Sequence, residues 1–181
     1  MKKLGKDAVF IDGQRFTDSE TMELTEMVLS GKVNNEIVSL LNQQGGKAVS
    51  LSGKSANIFN AKRIRSKKDQ DLGLVGSIES VDTRLIHTLC DDGYIPVISS
   101  VGSDRKGETL NLNADNVASA VARYLECKKL IYLTDVDGIM IEKKLIPTLT
   151  LKAAEDLLLH PEVQGGMVPK LECSIQAIKA S

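Results

Sequence analysis

The segment ETLNLNADNVASAVA, residues 108–122, joins amide and carboxylate side chains to the start of a helix. Asn111 and Asn113 can donate amide hydrogens to an anion, and the first amides of a helix add partial positive charge. Asp115 is suited to cap the same helix, because its oxygens accept hydrogen bonds from free amides of the first turn. Helix capping is the simpler interpretation of this pattern, and anion binding is the functional alternative.

The segment QGGMVPK, residues 164–170, is a second candidate for anion binding. Gly165 and Gly166 let a backbone approach a phosphate closely, and Pro169 suits the first turn of a helix, where its missing amide costs nothing. Lys170 would lie in that turn and neutralise phosphate charge, although the spacing is not that of a Walker A loop. The alternative is an ordinary helix start with a surface lysine.

The segment TDVDG follows the apolar run KLIYL, which predicts a strand over residues 129–134. In α/β proteins, ligands collect at the carboxyl ends of strands, where Thr134, Asp135 and Gly138 would lie. Asp135 or Asp137 is suited to a ribose hydroxyl or to hydrated Mg²⁺. Asp-Gly is also ordinary turn chemistry, so this motif alone is weak.

Arg15 stands two residues after a predicted hairpin turn at Asp12-Gly13. A guanidinium can hold a carboxylate through two parallel hydrogen bonds, and an exposed strand arginine is the alternative. His87 and His160 are isolated, and His87 is interpreted as a packing residue. The sequence shows no Ser/His/Asp set at catalytic spacing.

Alternating strands and helices must position these residues. Thr17 begins a capping box with Glu20, and the helix that follows is predicted to break at Gly31. Strands are predicted over residues 47–53, 56–65, 72–81, 94–102 and 129–134, with helices over 33–44, 81–92, 115–127, 150–159 and from about 166. This order predicts an α/β fold, a three-layer αβα sandwich with a mostly parallel central sheet, in a single domain over residues 1–181.

The composition argues against several classes of protein. The chain has 181 residues, 23 basic against 24 acidic, no Trp and 3% aromatic residues, which disfavours a nucleic-acid partner. Cys90, Cys127 and Cys173 are scattered, so we predict reduced core thiols and neither a disulfide framework nor a zinc site. The sequence has no apolar run long enough for a membrane span. We therefore expect a cytoplasmic protein without a membrane partner.

Six motifs in a fixed order resemble acetylglutamate kinases of the amino-acid kinase superfamily. They are DGQRFTD, LSGK, GYIPVISSVG, LNLNAD, LTDVDG and QGGMVPK, and the resemblance extends from about Val9 to Ile178. It implies phosphorylation of the side-chain carboxylate of N-acetyl-L-glutamate by ATP with Mg²⁺, a step toward arginine. It also implies a homodimer, formed through a helix near the substrate site. The pair of helices within residues 17–42 is the candidate, and packing of their apolar faces in the core is the alternative.

The resemblance further implies roles for individual residues. Arg15 would hold a carboxylate of the substrate, and Asn111 and Asn113 would position the substrate and the travelling phosphoryl group. Asp115 would orient the catalytic lysines. The residues implied to border the nucleotide are Thr134, Asp135, Gly138, Gly166 and Lys170, the last also being catalytic. No residue is implied as a protein ligand of a metal.

Two motifs of acetylglutamate kinases are absent from this sequence: a Lys-x-Gly-Gly loop that supplies a second catalytic lysine, and a GGGP loop. We therefore expect a family member cut at both ends, with slow or no turnover. One alternative is another carboxylate or nucleotide kinase of the superfamily. The other is a non-catalytic ligand-binding or interaction fragment.

Overall fold

The computed structural model describes residues 9–11, 14–134, 138–142 and 144–179. Contacts within the chain cluster into two compact units, Met1–Val117 and Ala118–Ser181. The single domain expected over residues 1–181 stays a prediction.

The described part of the first unit contains eight strands, and α1, the π-helix and α2 follow one another without a break over residues 19–43. The strands are β1 (Phe10–Ile11), β2 (Gln14–Arg15), β3 (Ala48–Ser52), β4 (Phe59–Arg65), β5 (Asp71–Val81), β6 (Ile95–Ser99), β7 (Val101–Ser103) and β8 (Thr109–Leu112). The helices are α1 (Ser19–Glu26), a π-helix (Met27–Val33), α2 (Asn34–Gln43), a 3₁₀ turn (Ser55–Asn57) and α3 (Arg84–Asp91).

Parallel and antiparallel pairs both occur among these strands. β3 and β6 pair in parallel from Ala48 opposite Ile95 to Ser52 opposite Ser99. β4, β5, β8 and β7 form a closed four-stranded sheet, in which β5 and β8 are parallel while β4–β5 and β7–β8 are antiparallel. The predicted α/β fold class with a parallel-containing sheet is confirmed.

The closed sheet surrounds an apolar core. Its fully buried side chains are Ile58, Phe59, Leu72, Val101 and Leu110. Gly53, in the LSGK motif, lies so close to this core that an added Cβ would be 2.1 Å from the Phe59 ring. Removing these side chains from water is the main stabilising contribution in this unit.

The first helix starts and continues differently from the prediction. Asp18, and not Thr17, is the N-cap, because its side chain accepts a hydrogen bond from the Thr21 amide at 2.7 Å. The hydroxyl of Thr17 is used elsewhere. The predicted break at Gly31 is also wrong, since the π-helix carries the chain through it. A helical glycine costs only about 1 kcal/mol, which tertiary contacts can offset.

The π-helix and α2 are fastened to the β3–β6 pair on one face. Asn34 is buried, and its side-chain amide donates to the carbonyl oxygens of Leu51 and Val97, both at 2.9 Å. The hydroxyls of Ser30 and Ser99 are 2.7 Å apart. These bonds fix the rotation of the helix about its axis.

The second unit is mainly helical. α4 (Ala114–Tyr124) runs into it from the first unit and is followed by β9 (Met140–Ile141), β10 (Lys144–Leu145), α5 (Leu151–Leu157) and α6 (Met167–Lys179). Ala154, Val163, Leu171 and Ile175 form its buried core. The predicted cap at Thr150 is confirmed, since its side chain accepts from the Ala153 amide at 3.2 Å. None of the described helices is both long and apolar enough to cross a membrane.

Several other local predictions are wrong. Residues 129–134 are not a strand, and the side chain of Leu133 is 95% exposed. An apolar run becomes a strand only beside a partner that accepts its hydrogen bonds, and no described strand pairs with it. The segment 94–102 is two strands, β6 and β7, in different sheets.

Two thiols and one histidine also differ from expectation. Cys173 is buried as predicted, whereas Cys90 and Cys127 are exposed, and all three are free thiols. His87 is exposed on α3 and does not pack in the core. Helical spacing predicted the helix that contains His87 and Cys90 but not the side of it that faces the protein, and Cys127 lies after the end of α4 at Tyr124.

Candidate active site

The first unit contains a cavity of about 290 Å³ that gathers the predicted substrate residues. Arg15 from β2, Asn111 from β8 and Asn113 before α4 all line it. We call it the Arg15 cavity. Arg15 and Asn111 are 96 positions apart in the sequence, so only the fold brings them to one place. A cationic group beside two amides is a suitable arrangement for an oxygen anion.

Arg15 is half-buried and held by the short β1–β2 pair. Phe10 lies opposite Arg15 in the antiparallel register, and the guanidinium carbon is 5.0 Å from the centroid of the Phe10 ring. A cation over an aromatic face is attracted by the ring quadrupole, which favours one side-chain position. The predicted turn residues Asp12 and Gly13 lie outside the described residues.

Asn111 lies in β8, which is paired with β5 on one side and β7 on the other. It pairs with Val75 of β5 and Val101 of β7, and its side-chain nitrogen donates to the Thr17 hydroxyl at 3.2 Å. The carboxamide is half-buried at the cavity wall. This fixes Asn111 from three directions.

Asn113, and not Asp115, caps α4. The Asn113 side-chain oxygen accepts from the Asn116 amide at 3.0 Å, and its carbonyl oxygen accepts from the Val117 amide at 3.0 Å. Asp115 is instead in the first turn, where a negative charge is favoured by the helix dipole. Asp115 is described but is not among the residues lining the Arg15 cavity. Its proposed role toward lysines stays a prediction.

Three polar residues that the sequence reasoning missed also line the Arg15 cavity: Gln14, Ser100 and Asn116. Ser100 directly follows β6, but the sequence predicted one strand over residues 94–102, so the strand end at Ser100 was not an available signal. Asn116 lies one helical turn after Asn113, and neighbouring turns present side chains to the same region. Gln14 had no comparable signal.

The second unit contains a cavity of about 400 Å³, which we call the Lys170 cavity. Thr134, Gly138 and Lys170, which the resemblance implies border a nucleotide, line it together with Tyr132, Met167 and Ser174. The Lys170 ammonium lies 5.9 Å from the centroid of the Tyr132 ring, within the range of a cation–π contact. Ser174 lies one turn after Lys170 on the same helix face, a spacing that could have identified it.

Lys170 lies near the start of α6. The helix begins at Met167, so Pro169 lies in the first turn, where its missing amide breaks no helical bond. Gly165 has φ +59°, a conformation that favours glycine. Gly166 is exposed and is not among the described residues that line the Lys170 cavity, and Asp135 lies outside the described residues.

A strong ion pair lies at another part of the first unit. The Arg84 side chain donates to both oxygens of Asp82, and this hydrogen bonding lowers the pKa of the Asp82 carboxyl to about 2. The Asp82 side chain also accepts from the Arg84 amide at 3.1 Å, at the start of α3. The pair therefore fixes a helix start and is not assigned to the candidate site.

Among the described residues, no cluster of three or more His, Cys, Asp or Glu side chains is placed to hold a metal ion.

A family model described as "Amino acid kinase family" matches residues 1–181. The chain belongs to the amino acid kinase family. This agrees with the fold and with the predicted resemblance to acetylglutamate kinases, which curated relatives confirm. Acetylglutamate kinase of Kosmotoga olearia is 47% identical over 180 residues, covering 99% of this chain. The chain spans 63% of the length of that relative.

Solved structures show the same family fold. Protein smu.665 of Streptococcus mutans superposes with a TM-score of 0.89 at 26% identity, covering 100% of this chain and 73% of that one. N-acetylglutamate synthase of Neisseria gonorrhoeae, solved with coenzyme A and N-acetyl-glutamate, gives a TM-score of 0.85 at 26% identity. That match covers 99% of this chain and 41% of the synthase.

Proposed function

We propose that this chain belongs to an enzyme that transfers the γ-phosphoryl group of ATP to the side-chain carboxylate of N-acetyl-L-glutamate, a step of arginine synthesis. The observation that carries the proposal is the Arg15 cavity, which gathers Arg15, Asn111 and Asn113. The 47% identity to an acetylglutamate kinase supports the choice of substrate. N-acetylglutamate synthase of Neisseria gonorrhoeae, of which the match covers 41%, was solved in complex with coenzyme A and N-acetyl-glutamate.

In the proposed reaction a substrate carboxylate oxygen attacks the γ-phosphorus, an O–P bond forms, and the bond to the ADP oxygen breaks. The carboxylate is already ionised near pH 7, so no general base has to remove a proton. The main barrier is repulsion between anions and the loss of freedom on alignment. Catalysis therefore requires positioned cations and hydrogen-bond donors.

Arg15 is proposed to bind a carboxylate of the substrate through paired N–H donors, since Phe10 keeps its guanidinium at the cavity. Asn111 and Asn113 are proposed to donate to oxygens of the substrate or of the phosphoryl group. Asn113 can donate through its side-chain nitrogen while its oxygen caps α4. These donors are placed before the reaction, which lowers the cost of reorganisation.

The Lys170 cavity is proposed to bind ATP. Lys170 would neutralise charge on the phosphates, and Thr134 and Gly138 would border the nucleotide. Mg²⁺ is proposed to arrive with ATP, since it usually binds substrate phosphates and keeps several waters. Asp135 and Gly166 remain proposed nucleotide residues on the basis of the motif alone.

A homodimer is proposed through an apolar stripe on the π-helix and α2. The stripe consists of Val28, Val33, Ile37 and Leu40, which are 42%, 38%, 43% and 62% exposed. Spacings of five residues in the π-helix and of four and three residues into and along α2 keep them on one side, because a π-helix bonds residues five apart and an α-helix brings residues three and four apart together. The opposite side is fastened by Asn34 and Ser30 to the β3–β6 pair.

The cytoplasm is the proposed location of this reaction, and neither a nucleic acid nor a membrane is proposed as a partner. The near balance of 23 basic and 24 acidic residues supports this choice. The three free thiols also suit a reducing compartment.

The experiment that tests the activity is acyl-phosphate trapping with hydroxylamine, using the chain with MgATP. N-acetyl-L-glutamate, glutamate, aspartate and UMP are compared, the last by ADP release. Product with N-acetyl-L-glutamate alone supports the proposal. Preference for another acceptor overturns it in favour of a different kinase of the family.

A second experiment addresses the alternative of a ligand-binding fragment. Binding of N-acetyl-L-glutamate is measured by calorimetry on the same preparation. Binding of N-acetyl-L-glutamate without formation of product supports the fragment. Product is taken as absent when wild type and Arg15→Ala give the same background signal in the trapping assay at the same enzyme concentration. Absence of both binding and product contradicts N-acetyl-L-glutamate as the ligand of this chain.

A further inference from the structure

Thr17 is a buried polar residue beneath the Arg15 cavity. Its relative exposure is 0%, and its hydroxyl makes two hydrogen bonds. It donates to the Arg15 carbonyl oxygen at 3.0 Å and accepts from the Asn111 side-chain nitrogen at 3.2 Å. One hydroxyl therefore links two of the proposed substrate residues.

The direction of these bonds fixes the orientation of the Asn111 carboxamide. A hydroxyl has one proton, and here the Arg15 carbonyl oxygen, which can only accept, receives it. The Thr17 oxygen must then accept from Asn111, so the amide nitrogen and not the oxygen faces Thr17. The carboxamide oxygen and the second N–H remain for a ligand.

The backbone of Thr17 is held as firmly as its side chain. Its amide donates to the Leu72 carbonyl at 3.0 Å, and its carbonyl accepts from the Leu74 amide at 2.6 Å. Gly73 lies between these partners with φ +71°, and an added Cβ would be 2.2 Å from the Thr17 carbonyl oxygen. Only glycine permits this approach of β5 without displacement.

We propose that Thr17 is a positioning residue of the substrate site: its hydroxyl joins β2 to β8 and sets which end of the Asn111 side chain is offered to the substrate. It acts through Asn111 and the Arg15 backbone and does not itself touch the substrate. The inference rests on the proposed function for the use of the cavity, but the orientation of Asn111 is independent of it.

The test compares Thr17→Val, which removes the hydroxyl at similar volume, with Thr17→Ser, which keeps it. Thr21→Val is the matched control, since Thr21 is also buried, at 3% exposure, and does not line the cavity. Thr17→Ala replaces Thr17→Val if the latter fails to fold. Thermal unfolding of each variant confirms that the chain is folded at the assay temperature.

The first readout is the side-chain amide resonances of Asn111 in ¹H–¹⁵N spectra, assigned with Asn111→Asp. Thr17→Val is expected to shift these resonances and to speed exchange of their protons, whereas Thr17→Ser and Thr21→Val leave them near the wild-type positions. Unchanged Asn111 resonances in Thr17→Val overturn the proposal. The proposal is also overturned if Thr17→Ser shifts the Asn111 resonances as much as Thr17→Val does. The methyl group of Thr17, and not its hydroxyl, would then hold Asn111.

The second readout is the affinity for N-acetyl-L-glutamate. Loss of the hydrogen bond that orients the half-buried Asn111 amide is expected to weaken binding by about tenfold in Thr17→Val. Affinity for an ATP analogue should stay within about twofold, and Thr17→Ser should restore the wild-type value. Shifted resonances with unchanged N-acetyl-L-glutamate affinity overturn the substrate-positioning role.

The two proposals fail in different ways. A wild-type chain that binds no N-acetyl-L-glutamate overturns the proposed substrate, and the Asn111 resonances still decide the orienting role of Thr17. If the wild type and Thr17→Val bind N-acetyl-L-glutamate with equal affinity, the proposed role of Thr17 is overturned and the proposed substrate stands.

Discussion

At the scale of single residues, the two cations proposed for the site have different surroundings. Arg15 is beside the Phe10 ring and two Asn side chains, whereas Lys170 is at a helix start beside the Tyr132 ring. A guanidinium matches a carboxylate in two parallel bonds, and an ammonium is a point charge suited to phosphate. The side chains thus support separate ligands for the two cavities.

Arg15→Ala is expected to weaken N-acetyl-L-glutamate binding by about 10- to 100-fold with little effect on ATP, because a charged hydrogen-bond partner is removed. Lys170→Ala is expected to have the reverse selectivity. Calorimetric titration of both ligands into both variants measures this. Arg105→Ala and Lys128→Ala, at exposed positions, are the matched controls. Equal losses for both ligands in either site variant contradict the assignment.

At the scale of elements, Gly73 decides how closely β5 approaches the start of α1. Gly73→Ala is expected to destabilise the protein by about 1–3 kcal/mol more than Gly45→Ala, because its Cβ would overlap the Thr17 carbonyl. Gly45 also has positive φ, at +85°, but nothing lies within 4 Å of its added Cβ. Urea unfolding of both variants measures the difference, and equal losses would show that backbone strain alone is responsible.

The apolar stripe on the π-helix and α2 is the element that bears on assembly. Leu40→Glu is expected to weaken the proposed dimer by about 30-fold or more, since a charge would be buried in an apolar contact. Sedimentation velocity across a concentration series measures the dissociation constant. Leu159→Glu, at an exposed leucine away from the stripe in sequence, is the control. A monomeric wild type at high concentration, or no effect of Leu40→Glu, contradicts the dimer proposal.

At the scale of the whole molecule, the single domain predicted from the sequence meets a structure whose contacts cluster in two units. The chain has no Trp, so one introduced Trp reports on its own unit. Tyr94→Trp and Tyr124→Trp place reporters in the first and second unit, at partly exposed tyrosines. If the chain unfolds as one cooperative domain, the two Trp variants are expected to have the same urea midpoint of unfolding. Midpoints that differ beyond error would show two domains.

The sequence by itself determined the features that depend on neighbouring residues and on residue type. Thr150 caps α5 through an amide three residues away, and the β4–β5 hairpin follows from two strand-like runs and a polar turn. The order of motifs also identified the related family. These predictions succeeded because the hydrogen bonds and the periodicity that carry them are local.

The tertiary structure decided what long-range bonds control. Thr17 has the type and spacing of a helix cap, but its hydroxyl bonds instead to Asn111, 94 residues away. The segment 94–102 divides at Ser100 because its two parts pair in different sheets. Residues 129–134 form no strand, and no described strand pairs with them. A polar atom takes the partner that the folded chain brings nearest. The sequence therefore predicted which residues bind the two proposed ligands, and the fold decided how Thr17, Arg15 and Asn111 are joined.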